Sequence, residues 1–146
     1  MDRRPRRVAV ALGSNIGDRV AHLAHAVDRL RTLLSDVVVS TFIETVPYHD
    51  PDDPLFLNGA LVGTTRDTPE RLLVTLLAIE HERGRERHHA GAPRTLDLDL
   101  VLVGDLRVNS STLRLPHPRF RSRRFVLDPL ADIAPDLVDP VTGKSM

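Results

Sequence analysis

The 146 residues predict an α+β chain, an antiparallel sheet with helices packed on it, and three observations point there. Segments follow one another as strand, helix, strand, strand, helix, strand; the helices open on recognisable start signals; Gly- or Pro-bearing turns separate the pieces. Val8-Ala9-Val10-Ala11-Leu12 is a short apolar run closed by Gly13-Ser14-Asn15-Ile16-Gly17-Asp18, which reads as a strand, a turn and a helix start. Val20, Leu23, Ala24, Val27, Leu30 and Leu34 recur at helical spacing, so a helix runs from about Asp18 to Leu34. The β-branched stretch Val37 to Thr45 is expected as one strand, and Pro47, Pro51 and Pro54 make Val46 to Leu55 a loop. Phe56 to Thr65 is the next strand. Thr68 then offers an N-cap, Pro69 the first helical position and Glu70 an acid in the first turn of a helix that stops at Gly84.

Residues 84–95 form a polar loop, and Leu96 to Val103 alternates as a strand. Gly104-Asp105 is expected to turn that strand into a hairpin partner around Leu106 to Asn109, with a further extended piece at Leu113 to Leu115. Prolines at 116, 118, 129, 135 and 140 are expected to permit only short helical turns near the C-terminus. The order is that of a ferredoxin-like layer pair, two helices on one face of the sheet, with an added hairpin and short C-terminal helices, in a single domain over 1–146.

Formal charge is zero, but the total conceals a pattern: residues 1–39 carry net +3, 40–82 net −6, 83–124 net +6 and 125–146 net −3. Nineteen of the 20 basic residues are Arg and Lys144 is the single Lys, which favours bidentate carboxylate or phosphate contacts over Schiff-base or P-loop lysine chemistry. The absence of Cys excludes disulfide scaffolds, thiolate metal sites and cysteine nucleophiles. No apolar run approaches the ~20 residues of a membrane span, and the basic N-terminus with its short apolar stretch does not read as a secretory signal. A cytoplasmic domain with no membrane partner is the expectation. With no heptad or unusually apolar stripe to pair, it is expected to be a monomer. Aromatics at 3% argue against a base-stacking nucleic-acid surface.

The most informative segment is Arg94-Thr95-Leu96-Asp97-Leu98-Asp99-Leu100. Alternation puts Leu96, Leu98, Leu100 and Leu102 on the core face and Asp97 with Asp99 on the other, roughly 6.5–7 Å apart, a spacing at which two carboxylates can hold Mg2+. Like charges this close repel unless a cation separates them. Arg94 and the surrounding Arg-rich block add the cationic partners that a Mg2+–polyphosphate site requires. Arg85 and Arg87 follow a helix end. The adjacent His88 and His89, and His22 with His25, read better as surface residues than as metal ligands. Gly13-Ser14-Asn15-Ile16-Gly17 lacks Walker spacing and lysine, and reads as a tight turn whose Asn15 braces neighbouring loops. Phe56 and Asn58 face the same way on a strand, an aromatic plate beside an amide, which suits a flat hydrogen-bonding heterocycle. Residues 116–125 pack four arginines, a histidine and two aromatics together, without an RNP-type motif.

Taken together, Ala11-Leu12-Gly13-Ser14-Asn15, Phe56-Leu57-Asn58, Pro93-Arg94-Thr95-Leu96-Asp97-Leu98-Asp99, Leu115-Pro116-His117 and Arg123-Arg124-Phe125 resemble the 6-hydroxymethyl-7,8-dihydropterin pyrophosphokinase family. The resemblance implies transfer of a pyrophosphoryl group from ATP to the 6-hydroxymethyl group of 6-hydroxymethyl-7,8-dihydropterin, releasing AMP, in folate synthesis. It implies two Mg2+ ions on Asp97 and Asp99, with Arg85 and Arg94 neutralising developing charge. Arg87, Arg114, His117 and Arg123 would grip the nucleotide, and Glu80 and Leu100 match positions near its adenosine part. Phe56 and Phe125 look like plates around the pterin, with Asn58, Thr45, Val46 and Tyr48 reading its edge. The loop before the signature departs from the family's usual Arg-Trp-Gly-Pro, reading Ala90-Gly91-Ala92-Pro93. That departure motivates a second reading, a catalytically weak pterin- or nucleotide-binding paralogue; the Arg119 to Arg124 cluster motivates a third, an RNA-binding domain.

Overall fold

The computed structural model describes residues 4–47, 52–85 and 94–146. Strand β1 (Arg6–Ser14) leads to helix α1 (Arg19–Leu33), then β2 (Ser35–Val39), β3 (Ile43–Thr45), β4 (Phe56–Thr65), helix α2 (Pro69–Glu82) and β5 (Asp97–Val103). A small pair, β6 (Val108–Asn109) and β7 (Arg114–Leu115), a 3-10 turn at Phe120–Ser122 and helix α3 (Arg124–Ile133) complete the chain. The main sheet has the order β2-β4-β1-β5, with β3 also on β4, and all its pairings are antiparallel. This is the expected ferredoxin-like arrangement.

β1 lies at the centre, and its unbroken apolar run follows from burial on both faces. Val8, Val10 and Leu12 point to the layer of α1 and α2, where they meet Leu23, Leu30, Leu72, Leu76 and Ile79. Ala9 and Ala11 point the other way, with Ala60 and Val62, and form a low surface on which Val126 and Leu130 of α3 pack. Both long helices start as the sequence requires: the Asp18 carboxylate accepts from Ala21 N at 3.1 Å, and Thr68 Oγ1 accepts from Arg71 N at 3.3 Å. α2 stops at Gly84, whose φ of +73° turns the chain back on itself.

Four expectations need correction. The single strand over Val37 to Thr45 is broken at Ser40–Phe42, because Ser40 Oγ accepts from Ala60 N at 2.8 Å and the Phe42 ring occupies the space beside Gly59, where a Cβ would sit 2.4 Å from it. Leu102 does not share the face of Leu96, Leu98 and Leu100. The β1–β5 register slips between Ala9 and Val10, so Val101 is an extra residue and Leu102 turns to the α3 side. The segment after Gly104 does not fold back on β5; β6 pairs with β7, with Ser110 closing the turn through Leu113 N and O at 3.0 Å each. Nor do the late prolines limit the chain to short turns. α3 runs for 10 residues with Pro129 inside it, its lost backbone bond offset by the burial of Val126, Pro129 and Leu130. The sheet is thereby covered on both faces, not on one.

Candidate active site

The cleft opens where the α3-facing side of the sheet runs out of α3. On that face the successive positions are Ala11 and Gly13 on β1, Asn58 and Phe56 on β4, Asp99 and Asp97 on β5, and Thr45 on β3, all set by the pairings Ala11↔Asp99, Gly13↔Asp97, Gly13↔Asn58 and Thr45↔Phe56. Val46 and Pro47 also line the cleft, as do Arg119 and Arg123, from the approach to α3, and Phe125, in its first turn. Gly13 matters here for space: a Cβ would lie 2.5 Å from Asn58 Oδ1. Asn58 Nδ2 donates to Thr45 Oγ1 at 2.5 Å, which fixes the direction of the amide. The Arg123 guanidinium lies 5.7 Å from the centre of the Phe125 ring.

Asp97 is held by both oxygens, Oδ1 accepting from Arg85 Nη1 at 2.9 Å and Oδ2 from Arg94 Nη1 at 3.0 Å. Arg85 is in turn held by Glu80, whose Oε2 accepts from Arg85 Nη1 at 2.6 Å and from Leu98 N at 2.7 Å. Asp99 faces Arg123 at 3.9 Å. Burial first, and then the negative charge of Asp97, push the Asp99 carboxyl up to about 7. His117 Nδ1 accepts from Arg119 N at 3.1 Å, and burial together with Arg123 and Arg119 lowers its pKa, so the ring is neutral at pH 7.

Among the described residues no group of three or more His, Asp or Glu could hold a metal ion. A pair of hard oxygen donors at the edge of an arginine-lined cleft fits Mg2+, which typically takes one or two carboxylates and fills its remaining positions with substrate phosphates and water. The electrostatics agree, since half-buried Asp99 sits beside a second carboxylate, a repulsion that a divalent cation would relieve.

Nine of the residues singled out from sequence line this one cleft: Thr45, Val46, Phe56, Asn58, Arg94, Asp97, Asp99, Arg123 and Phe125. Glu80 and Arg85 do not; their side chains are each 5% exposed and lie behind Asp97. The Glu80 carboxylate turns inward to Leu98 N and Arg85. The Leu100 side chain packs among the core leucines under α1 and α2, on the face opposite the Asp pair. Arg114 is exposed on β7, outside the cleft lining, and His117 is half-buried, its N–H bound to Val101 O at 2.7 Å. Tyr48, Arg87, His88 and His89 lie outside the described residues. Asn15 braces two loops as expected, donating from Nδ2 to Pro54 O at 3.2 Å and accepting on Oδ1 from Arg94 N at 2.7 Å. Sequence reasoning missed Gly13 and Arg119 as cleft residues; β1–β4 register reveals the first, and only the tertiary fold reveals the second.

A ferredoxin-like sheet that brings a carboxylate pair, arginines and aromatic rings into one cleft defines an α+β domain with its charged and ring-bearing groups gathered at one end of the sheet. The chain belongs to the 7,8-dihydro-6-hydroxymethylpterin-pyrophosphokinase (HPPK) family, whose sequence profile matches residues 9–135. It is 44% identical over 134 residues to the 2-amino-4-hydroxy-6-hydroxymethyldihydropteridine pyrophosphokinase of Methylorubrum extorquens, covering 90% of this chain and 85% of that protein. It is 41% identical over 140 residues to the protein of the same name from Synechocystis, covering 94% and 71%. The folic acid synthesis protein fol1 of Pneumocystis carinii is 40% identical over 140 residues, 95% of this chain, which spans 19% of that longer protein. Among solved structures, Plasmodium falciparum HPPK-DHPS A437G with pteroate shares the fold, with a TM-score of 0.74 at 14% identity over 99% of this chain and 40% of that one.

Proposed function

We propose that the chain transfers the pyrophosphoryl group of ATP to the 6-hydroxymethyl oxygen of 6-hydroxymethyl-7,8-dihydropterin, in folate synthesis. The hydroxymethyl oxygen attacks the β-phosphorus, the bond from that phosphorus to the bridging oxygen of the α-phosphate breaks, the hydroxyl proton leaves, and AMP departs. The observation that carries this reading is the meeting, in one cleft, of the Asp97–Asp99 pair and its arginines with Phe56, Asn58 and Phe125.

Phe56 and Phe125 offer ring faces to the pterin, and Asn58, its amide fixed by Thr45, reads the edge. Asp97 and Asp99 are the residues that would hold Mg2+, which when bound supplies charge neutralisation for the phosphates and alignment for in-line attack. Arg94 and Arg123 stand on either side of the carboxylates and counter the charge that builds on phosphate oxygens. Arg85 works from behind, holding Asp97 while Glu80 holds Arg85. Incubation with Mg2+, ATP and 6-hydroxymethyl-7,8-dihydropterin tests the proposal: AMP should appear in proportion to pterin consumed, and ATP that stays intact in the presence of the pterin overturns it.

A further inference from the structure

We propose that Arg119 is a binding residue for the pyrophosphoryl group in transit, an assignment that rests on the pyrophosphokinase reading above. Three arginines line the cleft, Arg94, Arg119 and Arg123. Arg94 is bound to Asp97 at 3.0 Å and Arg123 faces Asp99 at 3.9 Å. The Arg119 side chain makes no hydrogen bond or ion pair with any described residue. It is therefore the lining cation whose charge the described carboxylates leave uncompensated.

Its backbone is nonetheless fixed. Arg119 N donates to His117 Nδ1 at 3.1 Å, and Arg119 O accepts from Ser122 N at 3.2 Å and from Ser122 Oγ at 3.0 Å. A pinned main chain carrying an unpaired guanidinium at a cleft wall loses little freedom when an anion arrives, and the planar fork matches phosphate oxygens. It lines the same cleft as Phe56, Asn58 and Phe125. Of the parts of ATP, the one that must reach the acceptor's oxygen is the transferred pyrophosphoryl group, and the adenosine and α-phosphate remain behind it. Arg119 accordingly contacts that group and not the nucleoside end.

The test measures, by calorimetry in Mg2+, the affinities of wild type, Arg119→Ala and Arg119→Lys for inorganic pyrophosphate and for AMP, with pterin-dependent AMP release followed in parallel. Arg119→Ala should weaken pyrophosphate binding roughly tenfold, as expected for loss of one charge-assisted contact, and leave AMP within about twofold, while Arg119→Lys recovers part of the loss. Unchanged pyrophosphate affinity in Arg119→Ala, equal losses for pyrophosphate and AMP, or no pyrophosphate binding by the wild type overturns the assignment. A wild type that binds pyrophosphate through Arg119 but releases no AMP defeats the pyrophosphokinase reading alone; a wild type that turns over with Arg119 indifferent to pyrophosphate defeats this inference alone. Circular dichroism shows whether the exposed substitution leaves the fold intact.

Discussion

Asp97 and Asp99 differ in their surroundings although a single residue of one strand, Leu98, separates them. Asp97 takes a guanidinium on each oxygen, whereas Asp99 faces Arg123 at 3.9 Å. Both project into the cleft from one face of β5, so removing either carboxylate leaves the core intact. Asp97→Asn and Asp99→Asn should each lower pterin-dependent AMP release by roughly a thousandfold or more while the protein still folds; turnover within tenfold of wild type in either variant would remove the metal role from that residue. Gly13→Ala should act on the pterin alone, because its new Cβ would meet Asn58 Oδ1 at 2.5 Å and displace the amide. KM for the pterin should rise about tenfold with KM for ATP little changed, and steady-state kinetics against each substrate decides it. The Asp pair was legible from alternation in Leu96-Asp97-Leu98-Asp99, and Asn58 beside Phe56 by the same rule. Glu80 was legible only as a position, since nothing local announces that a carboxylate near a helix end will turn inward to meet Leu98 N.

At the level of elements, helix caps and turn glycines located α1 and α2 to within about a residue, because those signals are local. The errors came from elements whose fate depends on distant neighbours: the break around Phe42 needs Gly59 across the sheet, the slip at Val101 needs β1, and α3 persists past Pro129 because the Ala9, Ala11 and Ala60 surface receives it. The placement of α3 rests also on a contact from the far end of the chain. Arg121, in the 3-10 turn between the cleft residues Arg119 and Arg123, donates to the Asp139 carboxylate through Nε and, at 2.8 Å, through Nη2. Val141 N at 2.9 Å and Thr142 Oγ1 at 3.0 Å donate to the same carboxylate, which is nearly fully buried. Asp139→Ala strips one acceptor from four donors and should destabilise the fold by about 2 kcal/mol, a fall in Tm of roughly 4–8 °C. A melting curve superimposable on wild type would show that the C-terminal turn does not hold the cleft wall.

For the whole molecule, the zero net charge dissolves into pairs that join distant segments: Arg29 and His25 to Glu82, Arg19 to Glu44, Arg7 to Asp136 and Arg121 to Asp139. Most are exposed and worth little individually. Acid response is set instead by groups whose protonation differs between folded and unfolded chains. His22 and His117 have lowered pKa values, chiefly through burial, so the unfolded chain takes up their protons first and stability falls as pH drops below about 6.5. Asp99 acts oppositely: its raised pKa lets the folded chain keep a proton that the unfolded chain has lost, which costs stability as pH rises from about 4 towards about 7. The two effects oppose each other where their ranges overlap. Asp139 has no such counterweight, because Arg121 holds its carboxyl well below the ordinary carboxylate range. Its contribution is complete above about pH 4 and is lost as pH falls further through the folded-state value. Thermal melts carried from pH 7.5 to 2.5 should therefore show a steep fall in Tm below pH 4. Asp139→Asn, which cannot ionise, should start lower and fall less, so that the two curves converge in acid; parallel curves would mean that some other carboxylate governs the acid limb.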